Sequence, residues 1–214
     1  MQDNSGHFGD VTILGRPNVG KSTLLNRLVN QKLSITSRKP QTTRSRMIGI
    51  KSTDKYQIVY IDTPGVQKKP GGIFNRYMNR EALRNLAEVD VIVHLVEAVS
   101  WTELDEYVYG QVQQAGVPAL LAINKIDRIK DKNSILPYIK MVHEKGGYRE
   151  IMPISARADI NIDRLESCIR ALLPAGVALY PADQVTDRNE RYFAAEVIRE
   201  KLFRCLGEEL PYNI

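Results

Sequence analysis

The sequence predicts an α/β domain with a doubly wound, mainly parallel six-stranded sheet, and three observations lead there. Six short apolar runs alternate with stretches of helical periodicity. Several of the runs are apolar at consecutive positions instead of alternating ones. A glycine-rich pattern, GRPNVGKS, sits between the first run and the first helical stretch.

The apolar runs cover residues 11–14, 48–50, 58–61, 91–96, 119–123 and 151–154. Their length and β-branched content favour strand over helix. Consecutive apolar positions are what a strand needs when helices cover both of its faces. Helices are expected over 22–29, 75–87, 104–114, 135–145 and 162–173, and the alternation gives the doubly wound order. Gly146-Gly147 is a helix stop, and Leu173-Pro174-Ala175-Gly176 is another. Residues 175–187, with Pro181 among them, have little helical pattern and are expected to form a linker. Helical periodicity resumes over 188–206, with Ala195, Ile198, Leu202 and Cys205 on one face and Gly207 as its stop. That apolar face needs a partner surface.

Composition narrows the class. The 43% hydrophobic content is enough for a buried core. No apolar run approaches the ~20 residues of a membrane span, and the first ten residues lack the layout of a signal peptide. Cys168 and Cys205 stand far apart in sequence, which argues against a metal cluster or a disulfide framework and suits a reducing cytosol. The net charge is +5, yet the segment from Asp183 onward holds five basic and seven acidic residues. The basic character therefore lies in the body of the chain, where it could contact nucleic acid.

GRPNVGKS, residues 15–22, follows a predicted strand and opens a predicted helix, the context in which a phosphate loop works. Gly15 and Gly20 permit the turns that aim backbone N–H groups of Asn18, Val19, Gly20 and Thr23 inward, and the helix adds its positive end. Lys21 would reach the β- and γ-phosphates, and the Ser22 hydroxyl would ligate Mg²⁺. Asp62-Thr-Pro-Gly65 closes the third strand. Asp62 there can hold Mg²⁺ through water, and Gly65 can bring its N–H against a γ-phosphate. Asn124-Lys125-Ile-Asp127 follows the fifth strand. One carboxylate, that of Asp127, can accept from both N1–H and the 2-amino group of guanine, a donor pair adenine lacks. Ser155-Ala156, after the sixth strand, suits a loop closing over the base.

Together these elements make the expected fold a P-loop NTPase G domain. The motifs GRPNVGKS, SRKPQTTRSR, DTPG, NKID and SAR resemble those of the Era family, within the TrmE-Era-EngA-EngB-Septin-like class of GTPases. The tail from Asp187 to Ile214 resembles the start of that family's RNA-binding KH domain. The resemblance divides the chain into a G domain over 1–174, a linker over 175–187 and a KH fragment over 188–214. No G-X-X-G clamp follows Pro181, so the resemblance implies a chain that stops within its KH domain. It also implies binding to the 3′ end of 16S rRNA, assembly of the small (30S) ribosomal subunit, and a cytoplasmic protein that associates peripherally with the inner membrane.

The switch threonine is expected between the first helix and second strand, in PQTTR: Thr43 by its place before Arg44, with Thr42 as the alternative. Many GTPases orient the attacking water with a glutamine just after D-x-x-G, but here that residue is Val66, and Gln67 is one position off. The resemblance implies that Asn18 helps hold K⁺ beside the phosphates, in place of an arginine finger. His94, within VIVHLV, is expected to be a packed core histidine. Two other function classes compete with a GTP-hydrolysing switch. A P-loop kinase is disfavoured by NKID, because a kinase seldom needs a guanine reader. A nucleotide-gated RNA-binding module with incidental hydrolysis fits the same motifs.

Overall fold

Backbone pairing carries the strands beyond the apolar runs that nucleate them. In the computed structural model, residues 6–35, 46–66, 72–83 and 86–205 are described. The first strand, β1 (Gly6–Leu14), begins ahead of its apolar run. Its polar early residues pair in parallel with β3 (Tyr56–Asp62), from His7 opposite Tyr56 to Ile13 opposite Asp62. Ladder hydrogen bonds need no apolar side chain, so hydropathy could not mark this extension.

The sheet order is β2-β3-β1-β4-β5-β6, with β2 (Met47–Ser52), β4 (Val91–Glu97), β5 (Ala119–Asn124) and β6 (Glu150–Pro153). β2 pairs antiparallel with β3, and the remaining pairs along that path are parallel. A seventh, two-residue strand, β7 (Ala175–Gly176), pairs antiparallel with the start of β1. The expected six-stranded sheet thus gains a short strand from the segment expected to be a linker.

Helices cover both faces. On one side α1 (Lys21–Val29) and α5 (Ile162–Leu172) bury Leu24, Leu25, Leu28, Leu165 and Ile169 against Val11, Ile13 and Val93. On the other, α2 (Gly72–Leu83), α3 (Glu103–Ala115) and α4 (Ile135–Lys145) pack on the sheet through Ala82, Val108, Val112, Tyr138 and Val142. Thr102 and Asp105 form a reciprocal capping box that fixes where α3 begins. Gly146 ends α4 at φ 72°, as the sequence suggested. His94 is fully buried, its Nδ1 2.6 Å from the Tyr148 hydroxyl, and burial lowers its pKa to about 3, so it is a neutral core residue.

Residues 175–187 lie against the sheet instead of hanging free. Val185 accepts a hydrogen bond from the Ile50 N–H, and the Thr186 hydroxyl donates to the Ile48 carbonyl, so the segment dresses the exposed edge of β2. Gln57 holds it further: its Oε1 accepts from the N–H groups of Leu179 and Tyr180, and its Nε2 donates to the Tyr180 carbonyl and Ser52 Oγ. The final helix, α6 (Glu190–Cys205), docks by a different face from the one its apolar residues suggested. Tyr192 and Phe193 pack onto the α1–α5 core, and Glu200, 1% exposed, takes an ion pair from Lys32. Ala195, Ile198 and Cys205 face outward, with Ile198 60% exposed. Aromatic area, together with a partner for the buried Glu200 carboxylate, outweighs the smaller aliphatic stripe in choosing the docking face. Leu206 and Gly207 lie outside the described residues.

Gln57 is buried and all four of its amide hydrogen bonds are made, so replacing it leaves two backbone donors without their acceptor. Gln57→Leu is expected to lower stability by about 1–2 kcal/mol in urea unfolding and to speed proteolytic cleavage beside Tyr180. An unchanged midpoint with unchanged cleavage would show that the segment is held by something else.

Candidate functional site

Every motif residue that falls in a described segment sits at one edge of the sheet. Parallel strands point their carboxyl ends the same way, and ligands of open α/β sheets bind there. The phosphate loop follows β1, Asp62 ends β3, Asn124 ends β5, and Ser155 follows β6. The strand order places β1 between β3 and β4, so phosphate loop and Asp62 are neighbours, while the Asn124 loop lies one strand further along.

The phosphate loop is built on backbone shapes that few residues adopt. Asn18 has φ 65° and Gly20 φ 108°, and Gly20 caps α1. A Cβ at Gly15 would stand 2.4 Å from the Leu95 carbonyl, and one at Gly20 2.5 Å from Asn124 Nδ2, so both glycines are needed for close approach. Val19 is buried and Asn18 exposed. Lys21 folds back into the loop, where Nζ donates to the carbonyls of Gly15 and Arg16 at 3.1 and 3.0 Å. Burial lowers its pKa to about 8, against the opposing pull of the Asp62 carboxylate. Ser22 and Thr23 open α1 beside it, both half-buried.

Asp62 is fully buried, and its Oδ2 accepts from the Ser34 hydroxyl at 2.9 Å. Ser34 is held by Asn26, whose Oδ1 accepts from the N–H groups of Leu33 and Ser34 and whose Nδ2 donates to the Ser34 carbonyl. Thr63 donates to the Ile13 carbonyl and the Val66 N–H to that of Gly15, which ties the DTPG turn to the phosphate loop. A Cβ at Gly65 would come within 2.7 Å of Pro17, so this glycine lets the two loops touch. Val66 is fully buried among Leu14, Leu86 and Ile92. Its side chain belongs to the core and has no part in positioning a water. Thr42, Thr43 and Gln67 lie outside the described residues.

The base loops converge on Asn124. Its Nδ2 donates to the Val19 carbonyl at 2.8 Å and its Oδ1 accepts from the Ala156 N–H at 3.0 Å, so one buried amide joins phosphate loop, NKID loop and SAR loop. The Ser155 hydroxyl donates to Asp127 Oδ1 at 2.6 Å, and the Ala158 N–H donates to Ser155 Oγ. Asp127 is exposed, its carboxylate anchored at one oxygen. Arg27 of α1 steadies the SAR loop through the Ala156 and Arg157 carbonyls. Lys125 adopts φ 68°, and its Nζ lies 3.0 Å from Glu97, which also takes Arg16. Motif reading missed Ser34, Asn26 and Glu97, which belong to no fixed pattern, and Arg16, which fills a variable position of GRPNVGKS. The capping box that places Asp105 under Arg16 is the one part of this support with a sequence signal.

A phosphate loop, a buried carboxylate beside its lysine, and an NKID aspartate anchored at one oxygen define the class as a P-loop GTPase. A family profile described as "50S ribosome-binding GTPase" matches residues 10–125. GTPase Era of Glaesserella parasuis is 47% identical over 214 residues, covering 100% of this chain and 71% of the relative. GTPase Era of Ectopseudomonas mendocina is 52% identical over 206 residues, covering 96% and 69%. Among solved structures, Era in complex with MgGDPNP and nucleotides 1506–1542 of 16S ribosomal RNA superposes with TM-score 0.92 at 40% identity, covering 97% of this chain and 70% of that one. An Aquifex aeolicus Era variant bound to GDP and AlF4⁻ gives 0.91 at 40% identity, covering 96% and 70%. The chain belongs to the Era family of GTPases.

The donors present suit Mg²⁺: a hydroxyl at Ser22 and a buried carboxylate at Asp62 are hard oxygen ligands, and the field of Asp62 reaches Lys21. Lys21 yields a prediction with a definite sign. With a free-state pKa near 8 against an ordinary 10.5, it has shed its proton above pH 8 while the unfolded chain keeps it. The ligand-free fold therefore gains stability as pH rises from about 8 to 10. Polyphosphate placed beside Lys21 would restore the ammonium, so GDP binding should then take up close to no proton at pH 7 and up to about one at pH 9. Calorimetry in buffers of different ionisation enthalpy measures this. Uptake that is equal at both pH values would contradict the placement of Lys21 on the phosphates.

Proposed function

We propose that the chain is a GTP-driven switch acting on the 3′ end of 16S rRNA in small-subunit assembly. The observation that carries the nucleotide part is the Asn124 amide, which binds phosphate loop and base loops into one cleft with Asp127 at its far end. In this cleft Lys21 takes the β- and γ-phosphates, with the N–H groups of Asn18, Val19, Gly20 and Thr23 around them. Ser22 and Thr43 ligate Mg²⁺, and Asp62 reaches the ion through water. The bound ion supplies charge neutralisation between the phosphates. Gly65 lies at the turn that would sense the γ-phosphate. Asp127 reads guanine, while Asn124, Lys125, Ser155 and Ala156 shape the base pocket. Among the described residues, the one that follows D-T-P-G, Val66, is buried in the core and cannot orient water. Hydrolysis is therefore assigned to positioning and to charge, with Asn18 helping to hold K⁺.

The RNA part rests on the Era structure that holds nucleotides 1506–1542 of 16S rRNA. The broader profile's description names the 50S particle, but the match at 40% identity and TM-score 0.92 is closer kin, and its RNA belongs to the small subunit. A G domain over 1–174, a linking segment over 175–187 and the beginning of a KH domain over 188–214 complete the proposed organisation. Cytoplasmic location with peripheral contact to the inner membrane is proposed with it. Among the described residues no helix is long and apolar enough to cross a membrane. A second reading, a nucleotide-gated RNA-binding module with incidental hydrolysis, draws on the buried Val66.

GTP turnover separates the two. K⁺ in place of Na⁺ is expected to speed turnover by about tenfold or more, and Asn18→Ala to remove most of that gain. RNA carrying the 16S 3′ end should bind this chain weakly, with affinity falling steeply as salt rises. Turnover indifferent to the cation would overturn the potassium assignment. Turnover too slow to detect in either salt, with GTP still bound tightly, would favour the gated module.

A further inference from the structure

β4 lies between β1 and β5, so the residue at its carboxyl end stands between the phosphate loop and the NKID loop. That residue is Glu97. One of its oxygens, Oε2, receives Arg16 Nη2 at 3.2 Å and Lys125 Nζ at 3.0 Å. Arg16 is the second residue of the phosphate loop, and Lys125 is the second residue of NKID. Arg16 Nε donates to the fully buried Asp105 at 3.2 Å, and the same Nη2 that meets Glu97 reaches Ser100 Oγ at 3.4 Å. Arg128, just beyond NKID, approaches the second Glu97 oxygen at 4.0 Å.

The arrangement is a bridge with the carboxylate as its keystone. Burial raises the Glu97 pKa, but hydrogen bonds and charge from Lys125, and then Arg16, outweigh it and leave the carboxyl below its ordinary value. Glu97 is therefore an anion at neutral pH. Two cations meeting one oxygen would repel each other without it. Lys125 also gains from a tether, because its backbone is in the left-handed region that side-chain-bearing residues disfavour. Arg16 and Lys125 have side chains 18% exposed, so solvent screens the bridge less than a surface pair.

We propose that Glu97 is a positioning residue that locks the phosphate loop to the guanine loop through Arg16 and Lys125, so that base selectivity depends on a side chain of the phosphate loop. Glu97 touches no part of the nucleotide in this account. It sets the distance between two subsites that a guanine nucleotide must span at once, which rests on the guanine-nucleotide assignment above. Asn124 joins the same loops from the buried side, and the Glu97 bridge is its counterpart toward solvent.

The test compares affinities for GDP and IDP, whose base lacks the 2-amino group, in the whole chain. The parent should prefer GDP, because Asp127 then pairs with two donors. Glu97→Gln keeps shape and loses charge, and it should cut the GDP-to-IDP preference by about fivefold. Arg16→Met should cut it by a similar factor, although Arg16 lies on the phosphate side, and should do nothing further in the Glu97→Gln background. Thermal melts confirm that each variant is folded, and Arg16→Met carries the test if Glu97→Gln is not. A bridge that merely stabilises the fold would shift the melts and weaken both nucleotides equally, which would overturn the proposal. A parent with no preference for GDP would overturn the guanine assignment itself, and the two failures are thus distinguishable.

Discussion

The side-chain amide of Asn124 is the constraint on which the site depends. Its two hydrogen bonds, to the Val19 carbonyl and from the Ala156 N–H, hold three loops that leave three different strands. The bonds are buried, so solvent does not compete for them, and losing either would leave a desolvated polar group. Gly20 has no Cβ where the amide nitrogen passes, which joins the glycine pattern of the phosphate loop to the base loop. The phosphate loop and the base loops are thereby parts of one edge of the sheet.

The segments on either side of residues 36–45 are wired to the stretch that ends in α6. Lys32 pairs with Glu200 of α6, and Asn26 clamps Leu33 and Ser34, whose hydroxyl reaches Asp62. Arg188 donates to the Arg46 carbonyl at the start of β2, and Val185 and Thr186 hold the β2 edge. The segments flanking residues 36–45 are therefore both anchored to the stretch that leads into and through α6. Glu200 is buried while Lys32 is mostly exposed, so this pair is stronger than a surface ion pair but still open to water on one side.

Most of the fold was legible in the sequence because burial on two faces leaves consecutive apolar runs and helices leave periodic ones. Where pairing used polar residues, as in Gly6–Asp10 of β1, hydropathy had nothing to mark. The segment 175–187 read as a linker because its anchors are backbone groups and one distant glutamine, Gln57, none visible in local pattern. The docking face of α6 was not legible for a related reason. Periodicity ranks Ile198 and Leu202, but the surface of α1 and α5 accepts Tyr192 and Phe193, and Lys32 supplies a partner for Glu200. In the site, residues inside spaced motifs were legible because phosphate and guanine chemistry fixes their types. Their supports, Ser34, Asn26, Arg16 and Glu97, are chosen by geometry between strands far apart in sequence.

Base choice through Asp127 is the central claim, and one substitution addresses it. Ser155 donates to Oδ1 of Asp127, and an asparagine could keep that bond while its amide N–H₂ takes the place of Oδ2. Guanine would then meet donors with a donor, whereas xanthine offers its C2 oxygen there. The equilibrium affinities of Asp127→Asn for GTP and xanthosine triphosphate are the quantities to measure. The account predicts that GTP affinity falls by about a hundredfold or more, and that the order of preference reverses. Tight GTP binding retained by Asp127→Asn, with no gain for the xanthosine nucleotide, would contradict it.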